Sequence, residues 1–238
     1  MDQEQADRYP GVPRFALANN ELGHKSVHVG DLTFTPGSSV PYHFHNEGAE
    51  ETQIMLTGEL ECWVDGSKTT VRAGDTVTAP SGILHAFFNR TDTPARMITA
   101  FPLTPPETTH VDDPELVEVE DHYAIVRAVT RSAPFMAGLD GVERIELSGD
   151  FSGAKSTYTS FLEIQPGSAV PVQSHGDETV LFLVEGSLVG IIGENAVLGV
   201  DDAAVVPAGV QYGFANEGSS VARLVVVHPV LNPVVNLG

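Results

Sequence analysis

The chain contains one cysteine, Cys62, among 238 residues. A single cysteine cannot form a disulfide within the chain, and this favours a reducing compartment, so we expect a cytoplasmic protein. The first ten residues, MDQEQADRYP, are polar and acidic. No signal or transit peptide is therefore expected at this end of the sequence.

Basic residues are also scarce, since 12 Lys and Arg stand against 32 Asp and Glu and the net charge is −20. This excess of negative charge repels phosphate backbones, so no nucleic acid partner is expected. Long apolar runs are missing as well. Stretches such as Thr179–Val184 and Leu224–Val227 have the length of strands and are too short to cross a bilayer, so no membrane partner is expected either.

Long amphipathic helical periodicity is nearly absent, and what the chain has instead is short apolar runs separated by Gly, Pro, Asn or Asp. A hydrophobic content of 42% with 23 Gly and 16 Pro indicates a turn-rich globular protein. Asp65-Gly66 predicts a hairpin turn between Leu60–Val64 and Thr69–Val71. The predicted fold class is therefore all-β.

The two halves of the chain repeat each other. The phrase P-G-S-x-V-P occurs at Pro36–Pro41 and again at Pro166–Pro171, 130 residues later. Further along, Asn89 matches Asn216 at an offset of 127. The same motif residues in the same order indicate two copies of one all-β module. We expect an N-terminal extension at 1–25, the first module at 26–102, a connector rich in Pro and acidic residues at 103–121, and the second module at 122–238.

Three histidines and one carboxylate of the first module form a candidate metal site. His43 and His45 are separated by one residue, so on a strand their side chains point the same way. Glu51 and His85 complete the set. Neutral imidazole and carboxylate suit Fe, Mn, Ni, Co or Cu, with Zn also possible. Four protein ligands leave positions open for a substrate or water.

The segments that hold these residues resemble the paired motifs of the cupin superfamily, G(x)5HxH(x)3–4E(x)6G and G(x)5PxG(x)2H(x)3N. The second motif matches at every defined position from Gly74 to Asn89. The first motif begins at Gly37 and departs in one respect, because five residues separate His45 from Glu51.

The extra length leaves the choice of carboxylate open. Strict spacing would make Glu50 the ligand. We favour Glu51, because its distance to Gly58 keeps the register of the motif with the following strand, and a loop absorbs an insertion more easily than a strand does.

The resemblance implies a bicupin, in which two tandem double-stranded β-helix (jelly-roll) barrels follow each other. It implies that one divalent transition metal binds to His43, His45, Glu51 and His85. If Glu51 faces the barrel interior, the side chains of Gln53 and Met55 share its face by alternation, and Phe87 follows His85 inward. Gln53, Met55 and Phe87 then form a substrate pocket, or alternatively they only fill the barrel.

The second module departs from the pattern. Gln173 stands where the first histidine of the motif belongs, Tyr212 replaces the last one, and His175 alone is kept. We expect this module to be a degenerate, metal-free scaffold. Asp177 or Glu178, shifted in position, could still restore a weak site. The other histidines are expected to be solvated or hydrogen-bonded in the core: His24, His28, His110, His122 and His228.

Residues 56–98 look most like the small quercetinase-type cupins, which implies a dioxygenase for a flavonol-, diketone- or phenol-like substrate. Its substrates would be a small molecule and O2, Glu51 could serve as general base, and a homodimer is possible. Two alternatives remain open. One is a non-oxidative isomerase, lyase or decarboxylase that also works with Zn, and the other is a non-catalytic small-ligand-binding cupin.

Overall fold

The computed structural model describes residues 4–5, 8–102, 106–128, 132–136 and 139–238. Contacts divide the chain into two compact units. The first unit contains Met1–Thr130 and Ser148–Thr157, and the second contains Arg131–Leu147 and Tyr158–Gly238. Within the described ranges, no helix has the length and apolar character needed to cross a membrane.

The first unit is built from two sheets. Its strands in the described part are β1 (Glu4–Gln5), β2 (Arg14–Ala18), β3 (His28–Phe34), β4 (Ser39–His45), β5 (Glu51–Thr57), β6 (Glu59–Val64), β7 (Ser67–Arg72), β8 (Thr76–Ala79), β9 (His85–Phe88), β10 (Ala95–Phe101), β11 (Thr108–His110), β12 (Val117–Glu118) and β13 (Ile125–Val126). One sheet has the order β1-β2-β3-β10-β5-β8-β13, and the other has the order β11-β4-β9-β6-β7-β12. Side chains of both sheets, such as Phe34 and Leu60, share one apolar core.

The second unit repeats this plan. Its strands in the described part are β14 (Ser132–Pro134), β15 (Val142–Ser148), β16 (Tyr158–Ile164), β17 (Ala169–His175), β18 (Thr179–Glu185), β19 (Leu188–Ile192), β20 (Glu194–Leu198), β21 (Ala203–Val206), β22 (Tyr212–Ala215), β23 (Ala222–His228) and β24 (Val235–Leu237). The sheet orders are β14-β15-β16-β23-β18-β21 and β20-β19-β22-β17-β24. The only helical element among the described residues is one 3-10 turn at Asp150–Ser152, so the predicted all-β fold class is confirmed.

Local sequence explains the hairpin of β6 and β7. Leu60, Cys62 and Val64 are buried and alternate with partly exposed neighbours, as expected for a strand with one face on the core. Asp65 and Gly66 have φ values of 49° and 75°, the left-handed conformation that a two-residue hairpin turn requires. The predicted turn is therefore where the sequence indicated.

The segments predicted to be an extension and a connector contain strands that pair with the first unit. Strand β2 of the extension pairs with β3, and β11 of the connector pairs with β4, where Thr108 lies opposite His45. The short strands β12 and β13 pair with β7 and β8. These segments cover the edges of sheets, whose unpaired N–H and C=O groups need partners. They are parts of the first unit.

The two matching asparagines have the same structural role. Asn89 is 1% exposed, and its Nδ2 donates to the carbonyls of Phe34 and Thr93 at 2.9 and 2.8 Å. Asn216 is also 1% exposed and makes the corresponding pair of bonds in the second unit, at 2.7 and 2.8 Å. Each amide satisfies one carbonyl at the end of a strand and one in a loop, which explains why the residue recurs with the repeat.

Replacing Asn89 or Asn216 with alanine is expected to lower the free energy of unfolding by about 1–3 kcal/mol, because carbonyls lose their donor in a buried place. Urea unfolding followed by circular dichroism measures the change. Asn232 is exposed, so Asn232→Ala is the control and should shift stability by less than about 0.5 kcal/mol. Equal stability of all three variants would contradict this role.

Candidate metal centre

Neighbouring strands bring the four predicted residues together. His43 and His45 lie on β4, and His85, the first residue of β9, lies opposite His43 in the strand pairing. Glu51 is the first residue of β5. All four side chains are buried, and their ligand atoms lie within 4.8 Å of one another. The site therefore joins both sheets of the first unit.

Backbone carbonyls orient all three imidazole rings. His43 and His85 each donate from Nδ1 to the carbonyl two residues earlier, at 2.7 and 2.9 Å. His45 donates from Nδ1 to the carbonyl of Glu107, at 2.9 Å. A carbonyl oxygen can only accept, so Nδ1 carries the proton in each ring. The Nε2 atoms are thus the nitrogens with free lone pairs.

Two of these Nε2 atoms face the same carboxylate oxygen. The Oε2 atom of Glu51 lies 2.9 Å from Nε2 of His45 and 2.8 Å from Nε2 of His85. In the neutral tautomer set by the carbonyls, both nitrogens and the oxygen are acceptors, so their approach needs a cation between them or extra protons on the rings. A divalent metal ion fits this donor set, because imidazole nitrogen and carboxylate oxygen are its ordinary ligands.

Electrostatics supports the same arrangement. Burial alone would raise the pKa of Glu51, but the positive charge and hydrogen bonds that His45 and His85 supply when Nε2 is protonated outweigh it and hold this pKa well below its usual value. A bound cation would supply positive charge of the same kind. Burial, helped by repulsion from His85, lowers the pKa of His43 to about 3. At neutral pH, Glu51 is therefore ionised and His43 is neutral, as metal binding requires.

Glu50, the other candidate carboxylate, points to different partners. Its oxygens accept hydrogen bonds from the backbone of Ser156 at 3.2 Å and of Thr157 at 3.0 Å, and from the Thr157 hydroxyl at 2.8 Å. A further bond comes from the Lys155 amide. Glu50 thus holds the segment Ser148–Thr157 against the rest of the first unit. Glu51 is the carboxylate that lies with the histidines.

A cavity of about 230 Å³ opens next to the candidate site. Its lining includes Glu51 and two of the three predicted pocket residues, Gln53 and Phe87. Met55 is not among the lining residues and belongs to the apolar core. Met55 keeps the face of Gln53, because the two residues pair with Met97 and Thr99 in regular register, but it lies farther along β5, in the part of that face that packs in the core.

Several residues of the cavity lining were not predicted from the sequence. Arg14 and His28 line it, although His28 was expected to be an ordinary core or solvated histidine. Burial, with the charge of Arg14 beside it, lowers the pKa of His28 to about 4. Both residues belong to strands at one side of the seven-stranded sheet. The motifs could not reveal them, because Arg14 lies in 1–25, the segment predicted to be an extension, and His28 lies before the first motif, which begins at Gly37.

The matching place in the second unit has different chemistry. Tyr212 Oη lies 3.3 Å from Nδ1 of His175, and the ring of His228 lies 4.5 Å from that of His175. Oε1 of Gln173 is buried and has no hydrogen-bond partner among the described residues. Within those residues, no second group of three His, Cys or carboxylate ligands comes together. Asp177 and Glu178 therefore do not build a comparable cluster.

The sequence model of the cupin domain matches residues 30–101 and again residues 160–228, which together exceed half of the chain. The chain belongs to the cupin family. The two matched segments lie in the two units, one in each, so the protein is a bicupin.

Curated cupin relatives match one part of the chain. Germin-like protein 3-3 of Oryza sativa subsp. japonica is 36% identical over 101 residues, which are 39% of this chain and 40% of that protein. Oxalate oxidase GF-2.8 of Triticum aestivum is 36% identical over 90 residues, 34% and 38% of the two chains. Tetracenomycin polyketide synthase protein TcmJ of Streptomyces glaucescens is 30% identical over 107 residues, 44% and 71%. The match thus spans well under half of the plant relatives.

Solved cupin structures match nearly the whole chain. A deletion mutant of Bacillus subtilis oxalate decarboxylase has a TM-score of 0.76 at 13% identity, covering 99% of this chain and 76% of that one. Another structure of that enzyme, concerned with its Mn(II) centers, has a TM-score of 0.73 at 13% identity and covers 95% and 74%. At such identity the likeness shows the fold alone, here two tandem jelly-roll barrels. With the four-residue cluster, the comparisons support a divalent metal in this cupin.

Glu51→Gln is expected to lose most of the metal bound by the wild-type protein, because a neutral amide is a weaker ligand and removes the negative charge. Glu50→Gln is the matched control and should keep the metal. It should instead lower the free energy of unfolding by about 1–3 kcal/mol through weaker bonds to Ser148–Thr157. Elemental analysis measures the metal content of each variant, and urea unfolding measures its free energy of unfolding. Metal loss in Glu50→Gln alone would reverse the assignment.

Acid is expected to destabilise the protein through His228. Burial, together with His175 and Arg144, lowers the pKa of His228 to about 3 in the folded state, against about 6.5 when unfolded. Between these values the unfolded chain binds the extra proton. Stability therefore falls as the pH drops below 6.5, by up to about 1.4 kcal/mol per pH unit.

Urea unfolding at pH 7, 6, 5 and 4 measures this slope. His228→Gln should have a shallower slope than the wild type, whereas the control His24→Gln, outside both clusters, should retain the wild-type slope. Identical slopes in wild type and His228→Gln would show that another group causes the acid sensitivity.

Proposed function

We propose that the first unit is a metal-dependent enzyme that acts on a small oxygenated organic substrate, with dioxygenation as its reaction. One divalent ion would bind to His43, His45, Glu51 and His85. Among the metals considered, Mn has support from the Mn(II) centers of the structurally similar oxalate decarboxylase, and Fe, Ni, Co or Cu suit the same ligands. The observation that carries the proposal is the convergence of four buried ligand atoms beside a cavity.

The cavity favours a small substrate. Its volume of about 230 Å³ is below the roughly 300–1,000 Å³ of pockets that hold drug-sized ligands. A diketone or a single phenol-like ring therefore suits it better than a flavonol with its several rings. Phe87, Met97 and Phe101 supply an apolar wall, which would hold the carbon skeleton and exclude water.

When bound, the metal would act as a Lewis acid that stabilises an anionic oxygen of the substrate. The chain's own groups would do the rest. The carbonyls of Pro41, Ile83 and Glu107 hold the rings in position. Glu51 is ionised, so it can also accept a proton from a substrate group within hydrogen-bond reach.

A non-oxidative reaction, such as decarboxylation, is the second candidate. The cationic side chain of Arg14 in the cavity lining favours it, because a guanidinium binds a carboxylate well. The third candidate is a cupin that binds a small ligand without turnover. The buried cluster of four ligands argues against it, because passive binding does not require such a cluster. Dioxygen as second substrate, a homodimer and a cytoplasmic location remain predictions.

The number of metal ions and the need for oxygen test the proposal. Purified chelator-free protein should contain about one equivalent of a transition metal. His43→Ala and His85→Ala should each lose both the metal and the activity, whereas Gln173→Ala, in the second unit, should keep both. Oxygen uptake is screened with enolisable and phenolic substrates.

Turnover that continues unchanged without oxygen would replace dioxygenation by the non-oxidative reaction. Two metal equivalents, or loss of activity in a folded Gln173→Ala protein, would overturn the assignment of a single site. A wild-type protein that takes up no metal after reconstitution would end both enzymatic proposals.

A further inference from the structure

The side chain of Arg14 reaches into the cavity across the neighbouring strand. Its Nη2 lies 2.6 Å from Nε2 of His28 and 3.5 Å from the hydroxyl of Thr99. Gly30 provides the space, because a Cβ at that position would overlap Nε of Arg14 and lie 2.8 Å from its Nη2. Since arginine cannot accept a hydrogen bond, His28 accepts here and positions the guanidinium.

Arg14 has no carboxylate partner within the described part of the chain. Other arginines do have one: Arg96 pairs with Asp31 at 2.6 Å, and Arg127 pairs with Asp75 at 2.9 Å. The Nε atom of Arg14 is also buried without a hydrogen-bond partner among the described residues. In a chain of net charge −20, an arginine left without a carboxylate next to a cavity indicates an external anion.

A second unpartnered group faces the same cavity. Gln53 lines it and is 1% exposed, yet neither Oε1 nor Nε2 of its amide has a partner in the described structure. In the strand pairings, Thr99 lies opposite Gln53 on one side and opposite Gly30 on the other. The amide, the hydroxyl and the guanidinium above Gly30 thus form a row of polar groups across three strands.

The charges of the lining also favour an anion. Glu51 is its only carboxylate among the described residues, whereas Arg8 and Arg14 supply two positive charges. A divalent ion held by Glu51 would add a further net positive charge. An anionic ligand would balance this excess, and buried charges need such balance.

We propose that Arg14 and Gln53 form a subsite for the carboxylate of the substrate, in the same cavity as the candidate metal site. The substrate is then a small carboxylic acid whose second oxygen donor, a keto, hydroxyl or further carboxylate group, binds at the ion. Glu51 and Gln53 are two residues apart on β5, which separates the two sites by roughly 7 Å and suits a short acid. This proposal rests on the proposed function and narrows its substrate class.

The second unit offers an internal comparison. Arg144 lies 130 residues after Arg14, the offset of the repeat, and its Nε is likewise buried without a partner among described residues. Its guanidinium instead lies over the rings of Phe135 and Tyr158, at 4.8 and 5.9 Å. Tyr158 occupies the position of His28 in the repeat. Arg144 is therefore a matched control, and among the described residues no group of metal-ligating side chains lies beside it.

Calorimetric titration of Mn-loaded protein with pyruvate, malonate and succinate, each compared with its uncharged amide, tests the subsite. The wild type should bind at least one acid more tightly than its amide. Arg14→Gln should weaken that binding roughly 10- to 100-fold without changing the metal content, and Arg144→Gln should change neither. Should Arg14→Gln fail to fold, Gln53→Leu serves instead and should weaken acid binding about tenfold.

Equal affinity for acids and amides, or undiminished acid binding in Arg14→Gln, would overturn the subsite. The subsite would also be overturned if protein that holds one equivalent of metal ion bound none of the acids. That result would not contradict the proposed metal site. Titration of metal-free protein separates the two proposals, because acid binding there that depends on Arg14 would support the subsite even if the chain took up no metal.

Discussion

The hydrogen bonds from three imidazole Nδ1 atoms to backbone carbonyls are the interactions on which the candidate centre depends. They assign the proton to Nδ1 and turn Nε2 of His43, His45 and His85 inward. Two of the carbonyls lie in the histidines' own strands or turns, whereas that of Glu107 comes from the segment that pairs β11 with β4. The pairing of the strands thus helps to determine which imidazole nitrogens face Glu51.

The adjacent carboxylates of Glu50 and Glu51, at the start of β5, have different structural roles. Glu51 faces the histidines, and Glu50 accepts bonds from the backbone of Ser156 and Thr157. Neighbouring side chains on a strand point to opposite faces, so only one of the pair can enter the site. The longer loop before Glu51 is compatible with this, because the loop takes up the extra residue and the strand keeps its register.

The two units share structural residues but differ in the residues of the candidate site. Each unit has a buried asparagine, Asn89 or Asn216, whose amide donates to backbone carbonyls. Each unit also has an arginine at the same position of the repeat. The second unit places Tyr212 and Gln173 where the first has histidines, and its polar side chains satisfy one another in part. The asparagines stabilise both units whether or not a metal is bound, and the clustered His and Glu side chains of the described residues lie in the first unit.

Sequence alone determined the repeat, the all-β class, the turn at Asp65-Gly66 and the four clustered residues, because glycine, proline and ligand spacing are local properties. The choice between Glu50 and Glu51 needed the strand register. Arg14 and His28 became visible only in the tertiary structure, as did the core position of Met55. Their places depend on pairing between strands distant in sequence, which leaves no periodic signal along the chain.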